Sequence, residues 1–259
     1  MASVAKFDTW QAADGTNVAR FSGGELQVWD GAAWGPAGPA LPTVTETTGS
    51  PTVSSAVEIS GVVYDIYTFN GDGSITFSGT GYVDILAVGG GGGGSGSNAS
   101  ARISGGGGGE VFYGGWQVTD GSYTVTIGAA GASSGIPAGQ GESTNFGTVI
   151  KAGGGAGGIA KADYSGAGYS YNGQGGGMGG SGGVGIDDNG FTRTGGGAGG
   201  SVWATNFYDG RPIDITGSTV SYGRAVNTRA NGVANLGEGS GWSTSYSGSA
   251  GRIIVRVAV

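Results

Sequence analysis

Runs of glycine interrupt this sequence five times, at residues 89–94, 105–109, 153–158, 175–183 and 195–200, and the hexapeptide GGGAGG occurs twice, at 153–158 and 195–200. A glycine run loses more backbone freedom on folding than any other segment, and it has no side chain whose burial offsets the loss. Its N–H and C=O groups still need partners wherever it is buried. In an α-helix each glycine costs about 1 kcal/mol relative to alanine. Collagen is excluded because it needs a strict glycine every third residue and abundant proline, whereas this chain has 6 prolines beside 64 glycines in 259 residues. An extended helix of the polyproline-II type makes no internal hydrogen bonds, so glycine tracts in that form must satisfy one another side by side. Without Cβ atoms they approach closely and add weak Cα–H···O contacts. A six-residue tract then spans about 19 Å at roughly 3.1 Å per residue, close to the length of an ordinary strand. Tracts can therefore continue strands as a second layer of similar thickness.

Composition narrows the function. The chain has no cysteine and no histidine, so disulfides, thiolate nucleophiles and the commonest general base and metal ligand are absent. The 11 basic residues are scattered and the net charge is −7, which argues against the basic footprint of a nucleic-acid binder. No apolar stretch has the length of a membrane-spanning helix, and the first residues lack the apolar core of a signal peptide. Aromatic residues make up 10 % of the chain and β-branched runs flank the glycine tracts. Both features favour an ordered domain over a flexible linker.

Two zones follow. In residues 1–50, the segment 26–34 reads as two short strands around the Asp30-Gly31 turn. Pro36, Pro39 and Pro42 then mark an extended linker that the polar stretch 43–50 continues. Residues 51–259 carry strand patterns at 62–69, 74–77, 82–88, 110–113, 123–127, 148–152 and 252–259. The run 82–88 alternates imperfectly, as a strand covered on both faces would. The expected fold is all-β: sandwich-like strands, a packed layer of polyglycine-II helices, and a small N-terminal β module.

The order of these pieces resembles the glycine-rich domain found in many bacteriophage tail proteins. Tyr67-Thr68-Phe69, Gly73-Ser74-Ile75-Thr76-Phe77 and Tyr82 to Val88 lead into the first tract. Glu110-Val111-Phe112, Tyr123 to Gly128, Ser143 to Gly147, the GGGAGG blocks and Gly251 to Val255 follow in sequence. The tracts with their aromatic-bearing loops are also similar in style to glycine-rich adhesins at the tips of long tail fibres, and residues 1–42 are similar to Trp-Asp-Gly modules near fibre N-termini. The resemblance implies a virion protein of the tail, fibre or tip, assembled in the host cytoplasm. Its implied partners are other tail proteins and a host cell-surface receptor. A homotrimer is expected, with a monomeric cap as the alternative.

Candidate sites weigh against simpler roles. Exposed Tyr and Trp in polar loops supply rigid, amphipathic contact area, and Tyr169, Tyr171, Trp203, Tyr208 and Trp242 are the receptor-binding candidates on that ground. The competing role for such aromatics is to cap the glycine layer and form a minor core. Trp10, Trp29 and Trp34 are the candidates for attachment to the tail. No catalytic residue, metal site or cofactor is expected. Gly182 to Asp187 fits the start of a calcium-binding nonapeptide, but Asn189 stands where a large apolar residue belongs and the unit occurs once. Two rival functions remain: a purely structural tail-tip, collar or capsid-decorating protein, and a glycine-rich antifreeze protein. The antifreeze role needs a flat, regular face of small residues, which Lys161, Asp187 and Arg193 interrupt.

Overall fold

The computed structural model describes residues 41–94, 106–133, 138–158, 210–224, 231–240 and 246–259, together with the strand backbones at 9–11, 17–22, 25–29, 34–36, 102–103 and 160–161. Every regular element among them is a β-strand.

The N-terminal strands are β1 (Thr9–Gln11), β2 (Asn17–Ser22), β3 (Glu25–Trp29) and β4 (Trp34–Pro36). They form one antiparallel sheet in sequence order. The hairpin expected at 26–34 is present as β3–β4, with Trp29 and Trp34 in paired register.

The remaining strands are β5 (Thr43–Thr48), β6 (Thr52–Ile59), β7 (Val62–Phe69), β8 (Gly73–Ser78), β9 (Gly81–Val88), β10 (Arg102–Ile103), β11 (Val111–Val118), β12 (Gly121–Thr126), β13 (Thr144–Phe146), β14 (Ile150–Ala152), β15 (Ala160–Lys161), β16 (Arg211–Ile213), β17 (Val220–Tyr222) and β18 (Arg252–Ala258). Two five-stranded antiparallel sheets, ordered β11-β9-β18-β7-β6 and β14-β13-β12-β8-β5, make a sandwich. Its core holds Phe69, Ile75, Phe77, Val83, Ile85, Val125, Phe146, Ile253 and Val255. Tyr123 stacks on Phe146 at 5.0 Å and meets Phe77 edge-on at 5.7 Å.

Alternation along a strand sends successive side chains to opposite faces, and here both faces of the first sheet are covered. Leu86, Val88 and Ile254 point away from the sandwich core into a second cluster with Ile213, Ile215 and Tyr222, supplied by the β16–β17 hairpin. This explains the imperfect alternation of 82–88. On the same outer face the Arg256 guanidinium bonds Asp84 Oδ2 at 2.7 and 3.0 Å and lies 4.6 Å over the Tyr64 ring.

The stretch 43–50, read from sequence as linker, is different in the structure. Thr43–Thr48 forms edge strand β5 against β8, because threonine suits a half-exposed pleated surface as well as it suits a linker. Ser50 and Gly49 turn with positive φ, and β6 then joins the other sheet, so consecutive edge strands close the same side of both layers.

Candidate functional site

Six strands run directly into or out of glycine-rich tracts. β9 leads into 89–94, β12 into 128–132 and β14 into 153–158, while 106–110, 138–142 and 246–251 lead into β11, β13 and β18. A further tract, 237–240, lies among them. The tract 89–94 is buried along its whole length and sits at the centre.

Its hydrogen bonds show how it is held. Gly89, Gly90 and Gly91 donate to Glu110 O, Glu142 O and Ser249 O at 3.0, 2.9 and 2.8 Å. Gly92, Gly93 and Gly94 donate to Gly107 O, Gly139 O and Tyr246 O at 2.8, 3.0 and 3.1 Å. The partner tract thus changes with every residue and returns after three. Three other tracts donate back: Gly155 N to Gly90 O, Gly131 N to Gly91 O, Ser240 N to Gly92 O and Gly158 N to Gly93 O. A period of three is the one a three-residue-per-turn extended helix requires, and the six partner tracts surround the central one.

The same geometry accounts for glycine itself. A Cβ on Gly89 would strike Gly153 O, on Gly90 Ala129 O, on Gly91 Glu238 O, on Gly92 Ala156 O and on Gly93 Ala132 O, each closer than real Cβ contacts come. All are backbone atoms, so no flexible side chain can move aside. Peripheral tracts face the centre only at some positions, and there glycine recurs at intervals: Gly106 and Gly109, Gly248 and Gly251. Ala129, Gln140 and Glu142 of the outer tracts are exposed.

Polar side chains close the end of the bundle nearest the sandwich. Glu110 Oε2 accepts from Gly153 N at 2.8 Å, the buried Thr144 hydroxyl from Gly128 N at 2.9 Å, and Asp72 Oδ1 from Ile127 N at 2.7 Å. Within the bundle, the buried Glu238 carboxylate pairs with Arg224 at 3.0 Å and accepts from Val233 N at 2.8 Å. Among the described residues no set of three acidic side chains gathers in the way a metal cage needs.

The opposite end gives the candidate site. Gly94 bonds Tyr246, Gly158 bonds Gly93 and Ala138, Gly139 bonds Ala132, and Gly106 bonds Ser240, so these tract ends lie together, distal to the sandwich. The segments 95–105, 133–137 and 241–245 both leave and return at this end, and 159–209 leaves from it after Gly158 before the chain re-emerges at Gly210 beside the outer face of the sheet. A short ribbon of β10 and β15, with Arg102 opposite Lys161, pairs two of these segments.

Tyr169, Tyr171, Trp203 and Tyr208 fall in segment 159–209 and Trp242 in 241–245; all five lie outside the described residues, as do the tracts 175–183 and 195–200 and the nonapeptide match at 182–187. Trp10, Trp29 and Trp34 lie in β1, β3 and β4. Register puts Trp29 opposite Trp34 and Trp10 opposite Ala19, in another row. Tyr222, also an inter-tract aromatic, is a core residue. Sequence reading missed Glu238, Glu110 and Thr144 as tract partners. For Glu238 and Glu110 the signal was a lone acidic residue beside glycine, which is easily taken for a solvated turn; Thr144 lies in the polar run Ser143-Thr144-Asn145 and has no such signal.

No curated protein matches the chain. The model of one family, described as a glycine-rich domain, matches residues 68–258. That span begins in β7, ends in β18 and takes in every tract of the bundle, and with most of the chain matched, the protein belongs to the glycine-rich domain family.

Proposed function

We propose that this chain is a non-catalytic structural protein of a bacteriophage tail, in a fibre or at the tip, and that it presents loops to a receptor on the host surface. The observation that carries this reading is the one-ended architecture. The sandwich anchors the tracts at one end, and the connecting segments that bear the candidate aromatics start from the other, one of them, 159–209, rejoining the described chain at Gly210 beside the sheet. We read the tracts as a polyglycine-II bundle, whose stiffness comes from backbone bonds in every direction and is independent of loop sequence. Such a scaffold suits loops that must vary while their support stays fixed. The N-terminal sheet, with Trp10, Trp29 and Trp34, is the attachment module, other tail proteins are its partners, and the assembly is a homotrimer in the virion.

The test is binding of the purified full-length protein to intact bacteria, including its native host, beside a variant with Tyr169, Tyr171, Trp203, Tyr208 and Trp242 changed to Ala. Light scattering gives the mass of both. Binding by the parent and not by the folded variant supports the reading. Binding by neither leaves a spacer protein with no receptor role and overturns it, and a monomeric mass overturns the trimer.

A further inference from the structure

On the outer face of the first sheet, beyond the cover of the β16–β17 hairpin, β9 and β11 place three pairs of residues side by side: Leu86 with Tyr113, Asp84 with Gly115, and Tyr82 with Gln117. Tyr82 is 64 % exposed, more than any other large hydrophobic residue among the described residues. Gly115 between them leaves a gap. A Cβ built there meets nothing within 4 Å except Asp84 Oδ1, at 3.9 Å. Both Arg256 bonds to Asp84 fall on Oδ2, so Oδ1 borders the gap that Gly115 leaves. Arg256 also reaches the Tyr113 hydroxyl at 3.4 Å. The result is a shallow recess over Gly115, bordered by a carboxylate oxygen, with the exposed Tyr82 and Gln117 paired at the next register position on the same face.

We propose that this recess binds a neutral hexopyranosyl unit of a glycan, through stacking on Tyr82 and hydrogen bonds to Asp84 and Gln117. An exposed aromatic beside a few fixed polar groups is the general make-up of a small-ligand site. Tyrosine offers its apolar ring at low entropic cost, and the C–H groups of a sugar ring match its negatively polarised face. A carboxylate oxygen accepts from sugar hydroxyls in charge-assisted bonds. The pairing of Asp84 with Arg256 fixes the carboxylate and leaves the site without net charge, and the net charge of −7 on the chain disfavours anionic sugars. The site is separate from the distal loops and stands whether or not they bind a receptor.

The experiment is saturation-transfer NMR on the full-length protein with maltose, cellobiose, lactose and chitobiose, each to 20 mM. The same titrations are run on Tyr82→Ala, on Gly115→Val, which fills the recess in a strand that tolerates valine, and on Trp203→Ala/Trp242→Ala in the loops. The expected result is a signal with at least one sugar that falls at least about tenfold in the first two variants and persists in the loop variant. Circular dichroism establishes that each is folded. Absence of signal with all four sugars overturns the proposal. So does binding that survives both Tyr82→Ala and Gly115→Val. Loss in the loop variant alone also overturns it, but leaves the proposed role of the loops intact.

Discussion

The sandwich and the glycine bundle share strands end to end, yet they are held by opposite means. In the sandwich, side chains such as Phe77, Phe146 and Ile253 fill the space between the sheets, and burial of apolar surface drives the packing. In the bundle there are almost no side chains at the centre, and the backbone itself is the packing surface. Each N–H of 89–94 has a partner. A single net hydrogen bond contributes only about 1 kcal/mol, comparable to the cost of ordering one residue. One tract alone therefore has nothing to spare, whereas a central tract bonded on six sides, in a bundle whose tracts continue six strands, is stable as part of the whole. The two regions thus fail in opposite directions: one when atoms are removed, the other when atoms are added.

The largest expected effect lies in the sandwich. Phe77→Ala leaves a cavity beneath Tyr123 and is expected to cost about 3–5 kcal/mol in urea denaturation. The mirror test is Gly91→Ala. It adds one methyl group, which meets Glu238 O and Gly239 N, and the expected cost is about 3 kcal/mol. Equal stability of Gly91→Ala and the parent would remove the basis of the comparison. Gly114→Ala sharpens it. This glycine lies in edge strand β11, where a Cβ meets only the Phe112 ring at 3.7 Å. The same chemical change is expected to be neutral or to stabilise by about 0.5 kcal/mol.

Smaller effects test the polar fittings. Glu238→Gln keeps an acceptor for Val233 N but removes the charge opposite Arg224. The Arg224 side chain is 43 % exposed, so it can turn to water, and the expected loss is about 1–2 kcal/mol rather than the larger cost of stranding a buried charge. The smallest effect is at alkaline pH. Burial raises the Tyr222 phenol above its ordinary value, against a lowering by Arg252. Ionisation is then harder in the folded chain than in the unfolded one. The associated stability is complete below the ordinary tyrosine range near about pH 10 and is lost as pH rises through the raised value. Tyr222→Phe should flatten that alkaline decline in thermal melts, and an unchanged slope would assign it elsewhere.

The sequence was most legible where one kind of signal dominated. The strands 62–69, 82–88 and 252–258 stood out because β-branched and aromatic runs bounded by glycine leave few alternatives. The tracts 89–94, 106–109 and 153–158 stood out as well, because nearly uninterrupted glycine is conspicuous in any sequence. Tracts 128–132, 138–142, 237–240 and 246–251 did not. They touch their neighbours at intervals and carry Ala, Ser, Gln or Glu elsewhere, so their composition resembles that of any polar loop. The correct cue was spacing: Gly128 and Gly131, or Gly248 and Gly251, lie three residues apart, the interval at which partner tracts recur along 89–94. Strands β5 and β6 were missed for a different reason. They are exposed edges rich in Thr and Ser, and their strand character comes from pairing with β8 and β7 rather than from local pattern. The aromatic binding candidates rest on polar surroundings alone, a property that loops that bind share with loops that pack.

With its central tract bonded on six sides and its tracts continuous with six strands, the bundle is expected to behave as a rigid body tied to the sandwich and not as a set of loose glycine loops. The most direct test is hydrogen exchange of the Gly89 to Gly94 amides, resolved by NMR and set beside those of Ile85 and Val255. Protection of the six glycine amides equal to that of the two core strands, all opening with the same global free energy, is the predicted result. Exchange of the glycine amides at unfolded-chain rates while Ile85 and Val255 stay protected would contradict it.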